Sequence, residues 1–459
     1  MPQLSTPPFT VSRNDGMASP LHILVIGGGI GGLCLAQGLK QAGISVAVYE
    51  RDRTPTAREQ GYRIHIDPTG SRSLHECLPP VLWDAFVATA GDPGTGFGFL
   101  TERLRKLVMI EDEIFTGGVY DPAEGHHAAS RLTLRQILLA GLEDAVIFDK
   151  EFVRYEQSPD GKVTAFFADG TTAVGDLLVG ADGANSRVRR QFLPHAERVD
   201  TGAVGIGGKL ELTNTTRAWL PGRIKNGMNV ILGPRHFLFT AVFNRRRKQE
   251  EILPLLGDEI RAAGLNPEEL LQNLEDRDYI LWAFITRRDN PAFESDHMRG
   301  DALQGLVGRM VNRWHPDLRR IIGETDPVTI QAFPFRTSIP VKPWKTTNVT
   351  LLGDAIHSMT PAGGIGANTA LRDACLICKQ LISVNQGKSA LIAAIEGYET
   401  QMLEYGFAAV GDSLRNTKQA IANPAARLAG KSFLKLFGVL PPLRRAVFNE
   451  RWSDHSDLS

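Results

Sequence analysis

Residues 21–50, LHILVIGGGIGGLCLAQGLKQAGISVAVYE, restrict this chain to a narrow set of folds. The stretch opens with Leu21, Ile23, Leu24, Val25 and Ile26, a run short and β-branched enough to predict a buried strand. Gly27, Gly29 and Gly32 follow at G-x-G-x-x-G spacing. In such a loop the first glycine permits a tight turn, the second lets a pyrophosphate approach the backbone, and the third lets helix and strand pack closely. Leu33–Ala42 reads as a helix with Leu35, Ala36 and Leu39 on one face and Gly43 as its stop. A second strand, Ile44–Tyr49, ends in Glu50, an acid where a ribose hydroxyl needs an acceptor. This order of elements predicts a parallel βαβ unit that binds a dinucleotide, and by itself it leaves NAD and FAD level.

The 459 residues have room for one large or two to three ordinary domains. Hydrophobic residues at 42% and charged residues at 22% match a soluble globular protein. Lys plus Arg and Asp plus Glu number 51 each, so no charge excess recruits a polyanion and no nucleic-acid partner is expected. No apolar run reaches the length of a bilayer span, and residues 1–18 lack the apolar core of a signal peptide. A cytoplasmic protein without membrane contact is the expectation, with residues 1–18 as a disordered tail and Met17 as an alternative start. Cys375 and Cys378 form a C-x-x-C inside LRDACLICKQL, a helical pattern in which thiols at i and i+3 pack one face. No second pair or histidine cluster completes a zinc set, so no metal is expected.

Downstream, Gly61–Asp67 alternates, with Tyr62, Ile64 and Ile66 on one face and Arg63, His65 and Asp67 on the other. The polar face is equally readable as a solvated edge or as the lining of a nucleotide site. Residues 79–118 show no clear period. A helix is expected to start near Ser130 or Thr133, placing Arg131 at its N-terminus where a phosphate can meet it. Strands follow from Ala145 to Gly180, the last running into Asp182-Gly183 and the helix ANSRVRRQF. Between 193 and 344 strands such as Val204–Leu212 alternate with helices such as Asp301–Trp314, the pattern of an inserted α+β domain. Arg245–Lys248 is a basic run expected at a hairpin tip. A third buried strand then meets Gly353-Asp354 and the loop SMTPAGGIGANTALRDA, whose amides can hold a polar edge at a helix N-terminus. His357 is read as structural. The C-terminal part, 386–459, is expected to be helical, with an apolar cluster from Phe433 to Leu440.

GGGIGGLCLAQGLKQAGISVAVYE, DLLVGADGANSRVR and VTLLGDAIHSMTPAGGIGANTALRDA, with GYRI and SRLTLRQIL between them, resemble the single-component FAD-dependent monooxygenases. These are the flavoprotein aromatic hydroxylases typified by para-hydroxybenzoate hydroxylase. The resemblance covers about half the chain and implies an α/β fold. A Rossmann-like FAD-binding domain (19–78, 119–192 and 345–385) carries an inserted α+β substrate domain (79–118 and 193–344) and C-terminal helices (386–459). It implies FAD as cofactor and NAD(P)H as a transient electron donor, which explains the lack of a second G-x-G-x-x-G loop. It further implies that O2, activated at the flavin, delivers one oxygen atom to an aromatic or polycyclic, secondary-metabolite substrate by hydroxylation or epoxidation.

By position, the resemblance implies the glycine loop (Gly27, Gly29, Gly32) and Glu50 at the adenosine end, and Arg131 near the pyrophosphate. It implies Val153 near the adenine through its backbone, Asp354 on the ribityl chain, Gly366 and Ala367 at the flavin pyrimidine edge, and Pro361 over the ring. Asp182 is implied in holding the FAD region and in nicotinamide use. Arg63 falls where relatives often have glycine beside the flavin. Arg63 and Arg336 are the candidates for meeting an anionic substrate, and no catalytic base is named. The W-x-W-x-I-P signature of flavin-dependent halogenases is absent. A flavin reductase without oxygen insertion and a non-catalytic flavin-binding module stand as the alternatives.

Overall fold

The apolar run at the start of the glycine stretch forms the strand His22–Ile26, central in a five-stranded sheet. Its order is Val349–Leu351, Leu177–Gly180, His22–Ile26, Ser45–Tyr49 and Val146–Ile147, with every pairing parallel. Ile23, Leu24 and Val25 are fully buried, as strands covered on both faces by helices must be. Ile26 pairs with Gly180 and Gly180 with Leu351, so three strands from distant parts of the chain end side by side. The computed structural model describes residues 21–57, 62–92, 94, 96–111, 121–272, 277–289, 298–422, 430–432 and 434–435.

The glycine-loop helix runs Ile30–Gln41, starting three residues before the expected Leu33 and placing Gly32 in its first turn. That early start is possible because Gly32 lacks a Cβ, which would stand 2.2 Å from the Gly27 carbonyl oxygen. Gly43 ends the unit with a left-handed φ of 71°. Helices Pro68–Cys77 and Gly366–Asn385 pack beside it, and the 30-residue helix Leu391–Ala420 lies behind. Cys34, Cys77, Cys375 and Cys378 are all buried and free at these helix contacts, in keeping with the packing role read for the C-x-x-C.

A second sheet of ten strands carries Gln331–Ser338, Arg198–Glu211, Tyr279–Arg287, Phe237–Arg245, Met228–Leu232, Gly96–Thr101 and Lys106–Glu111 along its main path. One face packs Ile206, Trp282 and Phe284 against Leu303, Leu306, Leu318 and Ile321 of helices Gly300–Met310 and Pro316–Gly323. The opposite face looks back toward the C-terminal edge of the parallel sheet.

Some segments fall differently from their sequence grouping. Helix Pro80–Thr89 buries Leu82, Ala85 and Phe86 in the core of the parallel sheet, although its neighbours Gly96–Glu111 join the second sheet. Helices Gln249–Ala262 and Pro267–Leu271 likewise send Ile252, Ile260 and Leu271 into that first core. The basic run is no hairpin tip. Arg245 ends a strand and pairs with Asp278 at 3.2 Å, and Lys248 is the N-cap of the helix that follows. Residues 1–18 and Phe433, Leu436, Phe437, Val439 and Leu440 lie outside the described residues. Among the described residues no helix is long and apolar enough to cross a membrane.

Candidate active site

Between the ends of the parallel strands and the open face of the second sheet lies a cavity of about 1970 Å³. Pockets for one drug-sized ligand measure about 300–1,000 Å³, so this one has room for a dinucleotide and a second molecule together. Gly27, Gly29, Gly32, Glu50, Arg63, Arg131, Asp182, Asp354, Pro361, Gly366 and Ala367 all line it. The parallel register brings them together, since the cavity sits where open α/β sheets bind ligands, beyond the carboxyl ends of the strands.

The glycines divide the work. Gly27, at φ 113°, would place a Cβ 2.4 Å from the Ala181 carbonyl oxygen, so it lets two strand ends lie together. A Cβ on Gly29 would meet nothing within 4 Å, because that position faces the cavity. Gly29 and Ile365 are the N-caps of the two helices aimed at the cavity, Ile30–Gln41 and Gly366–Asn385, and neither has a side-chain cap. By contrast Asp67, Ser130 and Ser186 cap the neighbouring helices with their side chains. The two helices thus present first-turn amides and positive dipole ends to whatever occupies the cavity.

Acidic groups ring the same end. Glu50 is 2% exposed, and its two oxygens accept from Gly28 N at 2.6 Å and Asp52 N at 2.9 Å. Asp182 accepts from Arg187 N at 2.6 Å through Oδ2, while its buried Oδ1 has no hydrogen-bond partner. Burial raises the Asp182 carboxyl above its ordinary value against those hydrogen bonds. Asp354 opens onto the cavity yet lies deep in the protein. Burial raises its carboxyl too, opposed by His357, Arg198, Arg131 and Arg189.

The Gly353-Asp354 turn is held from behind. Asp373 accepts from Gly353 N at 2.7 Å, pairs with His357 Nε2 at 2.6 Å and takes the Tyr405 hydroxyl at 2.6 Å. Burial alone would lower the His357 imidazole, but Asp373's charge and hydrogen bond outweigh it and hold the ring above its ordinary value. His357 is fully buried and does not line the cavity, consistent with its structural reading. Arg189 donates to Ala355 O at 2.7 Å and Ala184 O at 3.1 Å, tying the second strand end to the third.

Strand Arg63–Ile66 belongs to the cavity rather than to a solvated edge, for Tyr62, Arg63, Ile64 and His65 all line it. It pairs antiparallel with His127–Ser130. Asn368 accepts from Asp67 N at 3.1 Å and donates to His65 O at 3.0 Å, which clamps the strand to the first turn of helix Gly366–Asn385. Beyond this strand the wall turns apolar, with Phe97, Phe99, Phe237, Phe239, Phe333 and Phe335 on the cavity face of the second sheet.

Two expected residues are not brought here. Val153, expected to contribute its backbone, is outside the lining, with its side chain 47% exposed; its chain neighbours Lys150, Glu151 and Phe152 line the cavity instead. Arg336 is exposed and also outside the lining. Successive side chains of a strand face opposite ways, so Phe333 and Phe335 reach the cavity and Arg336 points away.

The residues present fit FAD. Uncapped helix ends and Arg131 suit a pyrophosphate, the unpartnered Asp182 oxygen and the open Asp354 carboxylate suit hydroxyl or amide donors, and the glycine cradle leaves room for close approach. The model of the FAD binding domain family matches residues 21–251 and 299–411. The chain belongs to the FAD-dependent monooxygenase family. It is 35% identical to a candidate FAD-containing monooxygenase from Photorhabdus luminescens whose crystal structure it matches with a TM-score of 0.75, covering 87% of this chain and 98% of that one. It is 32% identical over 391 residues to a dual O-methyltransferase/FAD-dependent monooxygenase of Phaeosphaeria nodorum, covering 79% of this chain. The chain spans only 40% of that relative's length, and 46% of a similar dual protein from Cercospora beticola. Klebsiella pneumoniae HpxO, solved with FAD and uric acid, shares the fold at 23% identity with a TM-score of 0.69, over 90% of this chain and 92% of its own.

Within this family fold, several positioning residues escaped the sequence reading. Asn368 and Asp373 sit inside SMTPAGGIGANTALRDA, where the glycines draw the eye, and Arg189 lies in the motif that carries Asp182. Their spacing along a helix was a usable signal. The aromatic wall and His126 had little, since the six phenylalanines come as i, i+2 pairs from three strands far apart in the chain.

Proposed function

We propose that this protein is an FAD-dependent monooxygenase that uses NAD(P)H and O2 to insert one oxygen atom into an aromatic or polycyclic, secondary-metabolite substrate. One observation carries the reading: three parallel strand ends bearing Gly27, Asp182 and Asp354 share one cavity with an aromatic wall. FAD, once bound, supplies the acceptor for a hydride from NAD(P)H and the activation of O2.

The chain's own residues hold, orient and exclude. Glu50, its carboxylate held by the amides of Gly28 and Asp52 at the cavity edge, would accept from the adenosine ribose. Amides at Gly29 and Ile30, with Arg131, would meet the pyrophosphate. Asp354 would accept from the ribityl hydroxyls, the amides of Gly366 and Ala367 would face the pyrimidine edge, and Pro361 would cover the ring. Asp182 would hold the cofactor region through its unpartnered oxygen and serve nicotinamide use. The aromatic face would bind a flat, apolar substrate and keep water from the reacting atoms.

Reconstitution with FAD, followed by NADPH oxidation under air against a panel of polycyclic aromatics, tests the proposal. A yellow protein whose NADPH use rises with substrate, and whose product carries one atom of labelled oxygen, is the expected result. A preparation that takes up no FAD overturns it, as does substrate-stimulated NADPH use without label in the product.

A further inference from the structure

The 30-residue helix Leu391–Ala420 carries no part of the cofactor reading, yet one of its faces touches both halves of the cavity. Gly406, Ser413, Thr417 and Ala420 share that face at helical spacing, and all four are buried. The two ends of this stripe meet different parts of the site. A Cβ on Gly406 would stand 2.7 Å from His357 Cδ2, and His357 shares Asp373 with the Gly353-Asp354 turn. Ala420 packs with Ile285 and Phe335, and Phe237 and Phe333 close on the same cluster. These five residues all line the cavity on its aromatic side.

Between those ends, Ser413 and Thr417 hold the loop that carries Pro361. Ser413 Oγ donates to Thr360 O at 2.6 Å, and Thr417 Oγ1 donates to Ser413 O at 3.0 Å. Thr360 Oγ1 lies 2.7 Å from Thr417 Oγ1 and also meets Ser413 Oγ. Asn416 Nδ2 donates to Ala362 O at 3.4 Å, further along the same loop. With the Ser413 and Thr417 protons on carbonyls, the Thr360 proton has either hydroxyl oxygen as acceptor, so the cluster is satisfied. All three side chains are buried, where alanine and valine would fill the space without the cost of drying three hydroxyls. What the hydroxyls add is direction, since a hydrogen bond fixes distance and angle while apolar packing tolerates repacking.

We propose that Ser413 and Thr417 are positioning residues for oxygen insertion, which through Thr360 fix the Pro361 loop at a set distance from the aromatic wall. This rests on the monooxygenase reading and deepens it, because it names what sets the gap between the flavin ring and the substrate. A helix rises about 1.5 Å per residue, so Gly406 and Ala420 lie about 21 Å apart along one axis. The Asp354 turn, the Pro361 loop and the aromatic wall are thereby spaced by a single element. Neither Ser413 nor Thr417 lines the cavity, whereas Thr360 does, so both act through Thr360.

The gap decides between two overall reactions. With a substrate in reach, NADPH, a proton, O2 and the substrate give NADP+, water and the oxygenated substrate. The electron pair from NADPH and a pair from the substrate together reduce both oxygen atoms, one leaving as water and the other bonded to the substrate. With none in reach, NADPH, a proton and O2 give NADP+ and hydrogen peroxide. Reacting atoms must approach to about 3–3.5 Å, and a misplacement of about 1 Å costs about 100-fold. A loop displaced from the wall therefore shows as peroxide in place of product.

The oxidised, FAD-loaded protein reports the gap without turnover. The probe 2-naphthol absorbs only in the ultraviolet, so a visible difference band on its binding belongs to the flavin, and its own fluorescence gives its affinity. The wild type should show such a band. Thr417→Val keeps the side chain's shape and removes the hydroxyl; in it and in Ser413→Ala the band at saturating 2-naphthol should shrink at least about two-fold. Under NADPH and air, with the polycyclic aromatic that the wild type oxygenates, the share of NADPH electrons recovered in product should fall about 10-fold in both, with hydrogen peroxide making up the difference. Thr417→Ser, which keeps the hydroxyl, should restore both readings. FAD uptake reports folding, and the Thr417 pair decides if Ser413→Ala fails to fold. A wild type that takes up no 2-naphthol, or oxygenates nothing in the panel, sinks the function proposed above and this inference with it. A wild type that binds 2-naphthol without a flavin band, Thr417→Val with wild-type band and product share, or Thr417→Ser as impaired as Thr417→Val overturns this inference alone.

Discussion

The two halves of the cavity are built on opposite plans. Its cofactor half consists of strand ends, uncapped helix termini and glycines, and its side chains are held by backbone hydrogen bonds such as Gly28 N to Glu50 and Gly353 N to Asp373. Its substrate half is the face of a sheet, made of side chains that project from many strands and touch no backbone motif. A site made of backbone tolerates almost no change at its glycines. A site made of side chains can be repacked one residue at a time while the fold remains, which lets one cofactor scaffold serve many substrates.

Gly27→Ala should produce the largest effect. A Cβ there meets the Ala181 carbonyl at 2.4 Å on a backbone with φ 113°, and neither can yield without separating two strand ends. FAD affinity measured by flavin-fluorescence titration should fall at least about 100-fold, or about 2.7 kcal/mol. Retained affinity would mean that the cofactor is held elsewhere.

Asp354→Ala comes next and tests whether a single side chain matters in a backbone-built half. Losing a hydrogen bond from a charged acceptor costs about 1.5–3 kcal/mol, so FAD should bind about 10–100-fold more weakly. An unchanged affinity would remove Asp354 from the ribityl assignment.

Phe333→Ala probes the other plan. It should leave FAD affinity within about two-fold while raising the KM of an aromatic substrate about 10-fold, the worth of part of one buried ring. Arg336→Ala, one turn of the pleat away and pointing outward, should change neither. If Phe333→Ala weakened FAD as much as substrate, the division into halves would fail.

The smallest expected effect concerns pH. His357 is held above its ordinary value of 6.5, where Asp373 outweighs burial. A group raised on folding contributes stability that is complete below its unfolded value and lost as pH rises through the folded one. The Tm should therefore decline gently as pH climbs above 6.5, and His357→Gln should flatten that decline. An equally steep decline in the variant would assign the titration to another group.

The contrast also explains what could be read without the structure. The strand ends were legible because their backbone geometry demands particular residues. Gly27 needs a positive φ, Gly29 an open approach and Gly32 room for a carbonyl, so three glycines at fixed spacing announced the turn. Asp182 and Asp354 were legible for the same reason, each ending a short apolar run. Arg336 was misplaced for the opposite reason. A strand's sequence shows that it has two faces, but which face looks into a cavity depends on what packs against the other.

The sequence by itself determined the parallel sheet, the nucleotide-binding ends of its strands and the presence of a second, antiparallel region. Local backbone requirements impose those features, and they leave their mark within a few residues. Only the tertiary structure decided that helices Gly300–Met310 and Pro316–Gly323 cover the Trp282 and Phe284 face. That choice turned Phe333 and Phe335 inward and Arg336 outward. Likewise only the pairing of Arg63–Ile66 with His127–Ser130 brought His65 to His126, 61 residues apart. Contacts of that range depend on how whole elements cover one another, and no local pattern of residues encodes it.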